Sequence, residues 1–365
     1  MNRVTLAAAG ARKTQSIIDT CCTNTSGRRR LVVTYTLTGQ NEIEDRLINS
    51  CSPGTAPEVM GWYSFLLRHW IKPFLPMQFP GRRLRGMNFD GEPARGRYAT
   101  GVDRYIDGED RAFKLHLSKL AVDIAKVSNG AVIDRLSRIY DEIYIDEVQD
   151  LTGCDLHVLE TIMKSKIDLA MVGDIRQSVY STNPRDPTFK KYRSLKMMDW
   201  FHTQSDNGTL EIQHSSETWR ANQEIATFSD TIFPASLGFQ PTISNQTEKS
   251  NHSGVFVLKP SHVNTYVTQF KPACLRPSKS IQTPENLVVT NFGVVKGVTY
   301  ERVLIFPSDP IKKFLKTGAA LAEQSACGLY VGVTRAVHSV AFVVEEPEAT
   351  SLPVWLPTPR LVTHN

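Results

Sequence analysis

At 365 residues and 40.9 kDa the chain is long enough for about two domains, since one domain usually takes about 100–200 residues. Hydrophobic residues make up 41% and charged residues 22%, which excludes disorder over most of the length, a collagen-like repeat and a disulfide-dense scaffold. Forty-two Lys and Arg against 37 Asp and Glu leave a formal charge of +5, compatible with a polyanionic partner without requiring one.

In chain order, β-branched and aliphatic runs at 4–8, 31–34, 143–145, 169–172, 287–290, 303–306 and 340–344 predict buried parallel strands. Helical patterning lies between most of them, so the expected fold class is α/β with parallel sheets. Residues 51–98 change character. A turn-rich start gives way to an apolar and aromatic stretch, then to a glycine-rich basic one with Arg82, Arg83, Arg85, Arg95 and Arg97. This reads as an insertion on the sheet, and 236–253 as a second loop-like stretch. No run of about 18 apolar residues exists, so no membrane span is expected. Gly10, Arg12 and Lys13 interrupt the apolar start, which favours a buried first strand over a secretory signal. The cysteines (Cys21, Cys22, Cys51, Cys154, Cys274 and Cys327) form no CxxC pair, and adjacent Cys21–Cys22 is poorly spaced for zinc or a disulfide. Free thiols in a reducing cytoplasm are expected.

The first strand runs into Ala8-Ala9-Gly10-Ala11-Arg12-Lys13-Thr14 and then an aliphatic helix through Ile17 and Ile18. This is the layout of a phosphate loop. Small residues let backbone N–H groups approach phosphates, Lys13 would reach the β- and γ-phosphates, and Thr14 would hold Mg²⁺. The general pattern has glycine where Ala7 and Arg12 stand, and an ordinary strand–turn–helix would suit the same residues. The strand at 143–145 ends in Asp146 and Glu147, within Asp146-Glu147-Val148-Gln149-Asp150. There Asp146 would bind Mg²⁺ and Glu147 would polarise the attacking water. Alone, the pair could be a solvated acidic loop. The next strand ends in Val172-Gly173-Asp174 and leads to Gln177-Ser178-Val179-Tyr180, where Gln177 could sense the γ-phosphate. Arg220, in Thr218-Trp219-Arg220, and Arg335, in Thr334-Arg335-Ala336, are either ion-paired surface groups or arginine fingers. Lys296 lies in a basic turn between two strands.

In this order the motifs resemble superfamily 1 helicases of the UvrD/Rep/PcrA group, over nearly the whole chain. The resemblance implies two RecA-like domains with ATP between them. The first would span 1–205 with a small insertion at about 51–130; the second would span 206–365 with a very short insertion at about 234–283. It implies that Gly10, Ala11, Arg12, Lys13, Thr14 and Trp219 bind ATP, with Trp219 stacking on adenine. Thr14 and Asp146 would hold Mg²⁺, and Glu147, Gln177, Arg220 and Arg335 would carry catalysis. Thr34-Tyr35-Thr36 and Trp62-Tyr63 resemble the DNA-contact motifs, with Tyr180 and Lys296 completing the DNA-binding set; core packing is an equal reading for Trp62.

The implied activity is an ATP hydrolase and DNA translocase or helicase, 3′ to 5′, on single-stranded DNA or a duplex with a single-stranded tail. A protein partner such as a nuclease is expected, in DNA repair or anti-phage defence. The chain departs from the family at Arg12, at Gly293, at Thr299, and at Thr182 where a base-stacking Trp is often found. The phosphate loop lies only a few residues from Met1 and the last residue is Asn365, so no nuclease domain is expected. A pared-down motor that unwinds weakly alone is the expectation. A nucleotide-binding regulatory subunit without turnover, and an RNA-directed helicase of viral type, are the alternatives.

Overall fold

A computed structural model of the chain describes residues 1–23, 27–52 and 54–357. It divides into two compact units. The first comprises Met1–Leu6, Lys13–Ile175 and Tyr180–His214; the second comprises Ala7–Arg12, Arg176–Val179 and Ser215–Asn365.

The sheet of the first unit has the order β3-β2-β6-β7-β1-β8, from β1 (Arg3–Ala7), β2 (Arg30–Thr34), β3 (Glu58–Gly61), β6 (Glu142–Ile145), β7 (Asp168–Gly173) and β8 (Glu211–Ser215). The pairings from β3 through to β1 are parallel. β2 and β6 are buried along their whole length, as an apolar run covered on both faces must be. Helices α1 (Lys13–Thr23) and α2 (Leu37–Ser50) pack on the sheet through Ile17, Ile18, Ile43 and Leu47, against Val32, Tyr144 and Val172. Each fully buried aliphatic side chain there contributes roughly 1.5–3 kcal/mol. Between β3 and β6 lie α3 (Trp62–Phe65), which continues as a π-helical turn, α4 (Leu75–Gln78), the short parallel ribbon of β4 (Gly86–Asn88) and β5 (Arg111–Phe113), then α5 (Leu117–Val127) and α6 (Ala131–Ile139). α7 (Cys154–Met163) and α8 (Met197–Asp206) follow β6 and β7 respectively. At the base of the sheet, Arg30 pairs with Glu142 directly across the β2–β6 register at 2.7 Å, both side chains buried, and Tyr144 donates to the same carboxylate at 3.0 Å.

In the second unit, β9 (Glu217–Thr218) and β10 (Ile243–Ser244) form a small ribbon. The main sheet is all parallel, in the order β11-β15-β14-β12-β13, from β11 (Gly254–Leu258), β12 (Ala273–Arg276), β13 (Val289–Asn291), β14 (Tyr300–Ile305) and β15 (Ala336–Val343). α9 (Gln223–Asp230) is capped by the Asn222 side chain, which accepts from Ile225 N at 3.0 Å. α10 (Val263–Phe270), α11 (Asp309–Thr317) and α12 (Glu323–Val333) complete the unit. Leu258, Val263, Tyr266, Leu304, Ala341 and Trp355 form much of its core. His252 is sandwiched between Phe256 and Phe270, with ring centroids 4.4 and 3.9 Å away, and its Nε2 lies 2.8 Å from the Tyr266 hydroxyl.

The α/β class with two RecA-like sheets holds, and three expectations are corrected. Glu58–Gly61, read as part of the first insertion, is the edge strand β3, too short and too poor in apolar residues to announce itself. Residues 254–276, read as insertion in the second domain, supply β11, α10 and β12 of the sheet and core. Cys22 and Cys51, read as free thiols, are joined in a disulfide, while Cys21, Cys154, Cys274 and Cys327 keep their thiols. The packing of α1 on α2 brings together two cysteines 29 residues apart, which spacing alone does not reveal.

Candidate active site

The phosphate loop leaves β1 at Ala7 and enters α1 at Lys13. Within the second unit its backbone is held at almost every residue. Ala8 N donates to Ser215 O at 3.0 Å, and Ala9 N to the Tyr330 hydroxyl at 3.1 Å. The Thr218 hydroxyl donates to Ala9 O at 2.7 Å, and Trp219 N to Gly10 O at 3.0 Å. Gly10 has φ +78°, and a Cβ there would lie 2.5 Å from Thr218 Oγ1 and 2.7 Å from Arg220 Cβ, so the position needs glycine twice over. Ala11 N turns back to Ala8 O at 3.2 Å. Arg12 stands at φ +57°, which explains why the general pattern has glycine there: a side chain in that region costs about 1–2 kcal/mol. Its guanidinium lies over the Trp219 ring, 4.1 Å from the centroid.

In the first unit, Lys13 and Thr14 open α1, and the Thr14 hydroxyl donates to Asp146 Oδ2 at 2.8 Å. Asp146 closes the β6 ladder through its own N–H, bonded to Val33 O at 2.9 Å. Burial, then the charge of Glu147, pushes its carboxyl well above the usual range, against the pull of Thr14 and Lys13. Glu147 is itself left-handed at φ +56°, the kind of strain that collects at functional sites. Gln149 Nε2 donates to the Glu147 carboxylate, and Gln149 Oε1 accepts from Asp174 N at 3.1 Å. The bridge explains Gly173, where a Cβ would lie 2.4 Å from Gln149 Oε1 and 2.9 Å from Val148 Cγ1.

Within the second unit, Arg335 is buried and donates to Gln177 Oε1 at 3.1 Å and to Val331 O at 3.1 Å. Arg220 Nη1 donates at 3.2 Å to the carbonyl oxygen of Thr334, the residue before Arg335. Lys296 ends the 3₁₀ turn Phe292–Val295 between β13 and β14.

The expected DNA-contact residues separate into two kinds. Tyr35 and Tyr63 are half-buried and meet edge to face at 5.9 Å; their hydroxyls donate to Ser181 O at 3.4 Å and Thr182 O at 2.7 Å. Lys114 Nζ lies 5.5 Å from the Tyr63 ring, and exposed Phe89 meets the same ring edge to face. Tyr180 is partly exposed. Thr34 is buried in β2, and Thr36 is committed to capping α2 by accepting from Gly39 N at 3.1 Å. Trp62 is corrected. It is 1% exposed and its indole N–H donates to Asp155 Oδ1 at 2.7 Å, so its ring packs the interior and cannot meet a base. Ser118 and Thr182 donate to the same buried carboxylate, so Thr182 also belongs to this network. Sequence reasoning missed Gln149, Thr218 and Tyr330 as supporting residues. Only the contacts of Gly10 and Gly173 would have pointed to two of them.

A family model for the UvrD/REP helicase N-terminal domain matches residues 82–189. An ATP-dependent helicase/nuclease subunit of Lactococcus lactis subsp. lactis (strain IL1403) is 32% identical over 119 residues, covering 32% of this chain and 9% of that protein. Its namesake in Oenococcus oeni (strain ATCC BAA-331 / PSU-1) is 26% identical over 131 residues, covering 35% of this chain and 9% of that protein. The chain thus spans only a small fraction of the length of these relatives. Among solved structures, the Arterivirus nonstructural protein 10 (helicase) aligns with 95% of this chain and 61% of that chain, at 12% identity and a TM-score of 0.48. On the match at 82–189, and on the motifs that flank and fill it, the chain is similar to the UvrD-like superfamily 1 helicases.

Proposed function

We propose that the protein is an ATP-driven translocase or helicase on single-stranded DNA, moving 3′ to 5′ and working in the cytoplasm with a protein partner such as a nuclease. The observation that carries this reading is the Thr14–Asp146 hydrogen bond, which joins the Lys-Thr of the phosphate loop to the acidic box. A hydroxyl and a buried carboxylate are hard oxygen donors and suit Mg²⁺, which takes its other ligands from water and phosphate. No cluster of three or more His, Cys, Asp or Glu side chains able to hold a metal occurs among the described residues. When bound, the ion would neutralise charge on the β- and γ-phosphates.

Glu147 would orient and deprotonate the attacking water, with Gln149 fixing its carboxylate. Lys13 would hold the phosphates electrostatically. Arg335 and Arg220 would neutralise charge developing on the transferred phosphoryl group, and Gln177, bonded to Arg335, would report its departure. Tyr35, Tyr63 and Tyr180 offer rings for base stacking, and Lys296 offers a cation for the strand, which gives grip with little sequence preference. The names of the relatives, which join helicase to nuclease, support a nuclease partner. Among the described residues no helix is long and apolar enough to cross a membrane.

Arg12, left-handed and stacked on Trp219, favours a second reading: a regulatory protein that binds nucleotide without turnover. Steady-state ATP hydrolysis with and without single-stranded DNA, beside Glu147→Gln, separates the two. A motor gives DNA-stimulated turnover that the variant loses. Binding without turnover in either protein gives the regulatory role.

A further inference from the structure

Arg12 is a large cation in a loop built for small residues, and its side chain has a definite place. The Thr218–Ala9 and Trp219–Gly10 bonds fix the loop against the Trp219 backbone, and the left-handed turn at Arg12 lays the guanidinium on the indole. At 4.1 Å from the centroid the two groups are in stacking contact, so no second planar group fits between them. Trp219 is still 42% exposed, a high value for the largest apolar side chain. A nucleotide held at the loop by its phosphates would bring its base to Trp219 from the loop side, the side that Arg12 covers.

We propose that Arg12 is a determinant of base recognition: its guanidinium occupies the stacking face of Trp219, and the base of a nucleoside triphosphate binds by displacing it. The inference rests on the nucleotide reading above and adds to it a competition within this chain. Base-containing ligands must break the Arg12–Trp219 contact; an inorganic triphosphate need not. An exposed contact of this kind weakens base-dependent binding by about two- to fivefold. The positive charge of Arg12 near the loop acts at long range on the phosphates of both kinds of ligand.

The test is the affinity of the full chain for ATP and for inorganic tripolyphosphate, each with Mg²⁺, by calorimetry. The proteins are the parent, Arg12→Ala, Arg12→Gly, Trp219→Ala and the double variant Arg12→Ala/Trp219→Ala. Taking the ratio of the two affinities cancels any general effect of the lost charge. The expected result is a ratio shifted about two- to fivefold toward ATP in both Arg12 variants, with no such shift once Trp219 is gone. Equal gains in the Ala and Gly variants assign the effect to the side chain, because only glycine also relieves the left-handed backbone. An unchanged ratio, or one shifted toward tripolyphosphate, overturns the competition and leaves the nucleotide reading standing. Failure of the parent to bind either ligand overturns both.

Discussion

Gly173→Ala tests whether the acidic box works through Gln149. The new Cβ would sit 2.4 Å from Gln149 Oε1, whereas an ordinary contact begins near 3.4 Å, so the amide must retreat by about 1 Å. The clashing atoms are on side chains, Gln149 Oε1 and, at 2.9 Å, Cγ1 of buried Val148, so both side chains give way while the backbone stays in place. The Asp174 N–H···Oε1 bond, now 3.1 Å, is stretched beyond hydrogen-bond range, and stability falls by about 1 kcal/mol. Activity should fall much further, because the same amide holds the Glu147 carboxylate through Nε2. A displacement of about 1 Å at a water-positioning group can cost about 10²-fold in rate. DNA-stimulated ATP turnover, measured beside urea unfolding, should show this split. Gln149→Ala should produce a similar loss, and the double variant should be no worse than either single one, since all three remove one bridge. Additive losses, or full turnover in Gly173→Ala, would refute the reasoning.

Trp62→Phe removes the N–H that serves buried Asp155 and should cost about 1.5–3 kcal/mol of stability without changing the DNA affinity of the folded protein. Tyr35→Ala should do the reverse, losing about 1–3 kcal/mol of single-strand binding by fluorescence anisotropy. The stability of the second unit should fall as pH drops. Burial, then nearby Arg302, lowers the His252 pKa to about 4, whereas the unfolded chain titrates near 6.5. The unfolded state therefore takes up the proton first, and stability present above about pH 6.5 is lost progressively toward pH 4. His252→Phe should flatten that slope in unfolding curves, and an unchanged slope would contradict the assignment. Alkylation under denaturing conditions should label four cysteines without reductant and all six with it; six in both would remove the Cys22–Cys51 pairing. The disulfide closes a loop across a 29-residue separation and should add about 3–4 kcal/mol to stability.

Much of the fold was legible because fully buried parallel strands are continuous apolar runs, as in β2, β6, β7 and β15. β3 was not, since Glu58-Val59-Met60-Gly61 at a sheet edge carries little apolar signal. β11 is a strong apolar run, but the loop-like residues before it drew it into an insertion that does not exist there. Within the candidate site, the residues that sequence could name are those whose chemistry is distinctive, such as Lys13, Asp146 and Glu147. Gln149, Thr218 and Tyr330 escaped because they act through ordinary hydrogen bonds to backbone or carboxylate that only the folded chain creates. Trp62 misled because an aromatic ring can serve stacking or packing, and its environment alone decides which.

The buried Arg30–Glu142 pair has a further consequence for how the first sheet finds its alignment. These residues are 112 positions apart, and the sequence between them includes α2, β3 and the helical insertion. Closing so long a loop costs little more than closing half of it, so length alone does not penalise a misaligned β2 and β6. Shifting β2 by one residue would set Arg30 opposite Ile143 and turn its side chain to the opposite face of the sheet, breaking the buried Arg30–Glu142 pair, at several kcal/mol. The pair thus works by making the wrong alignment expensive, more than by strengthening the right one. An apolar replacement of both residues should keep overall stability while allowing slipped alignments, seen as mixed hydrogen-exchange behaviour in β2; uniform protection there would show that the apolar residues alone set the register.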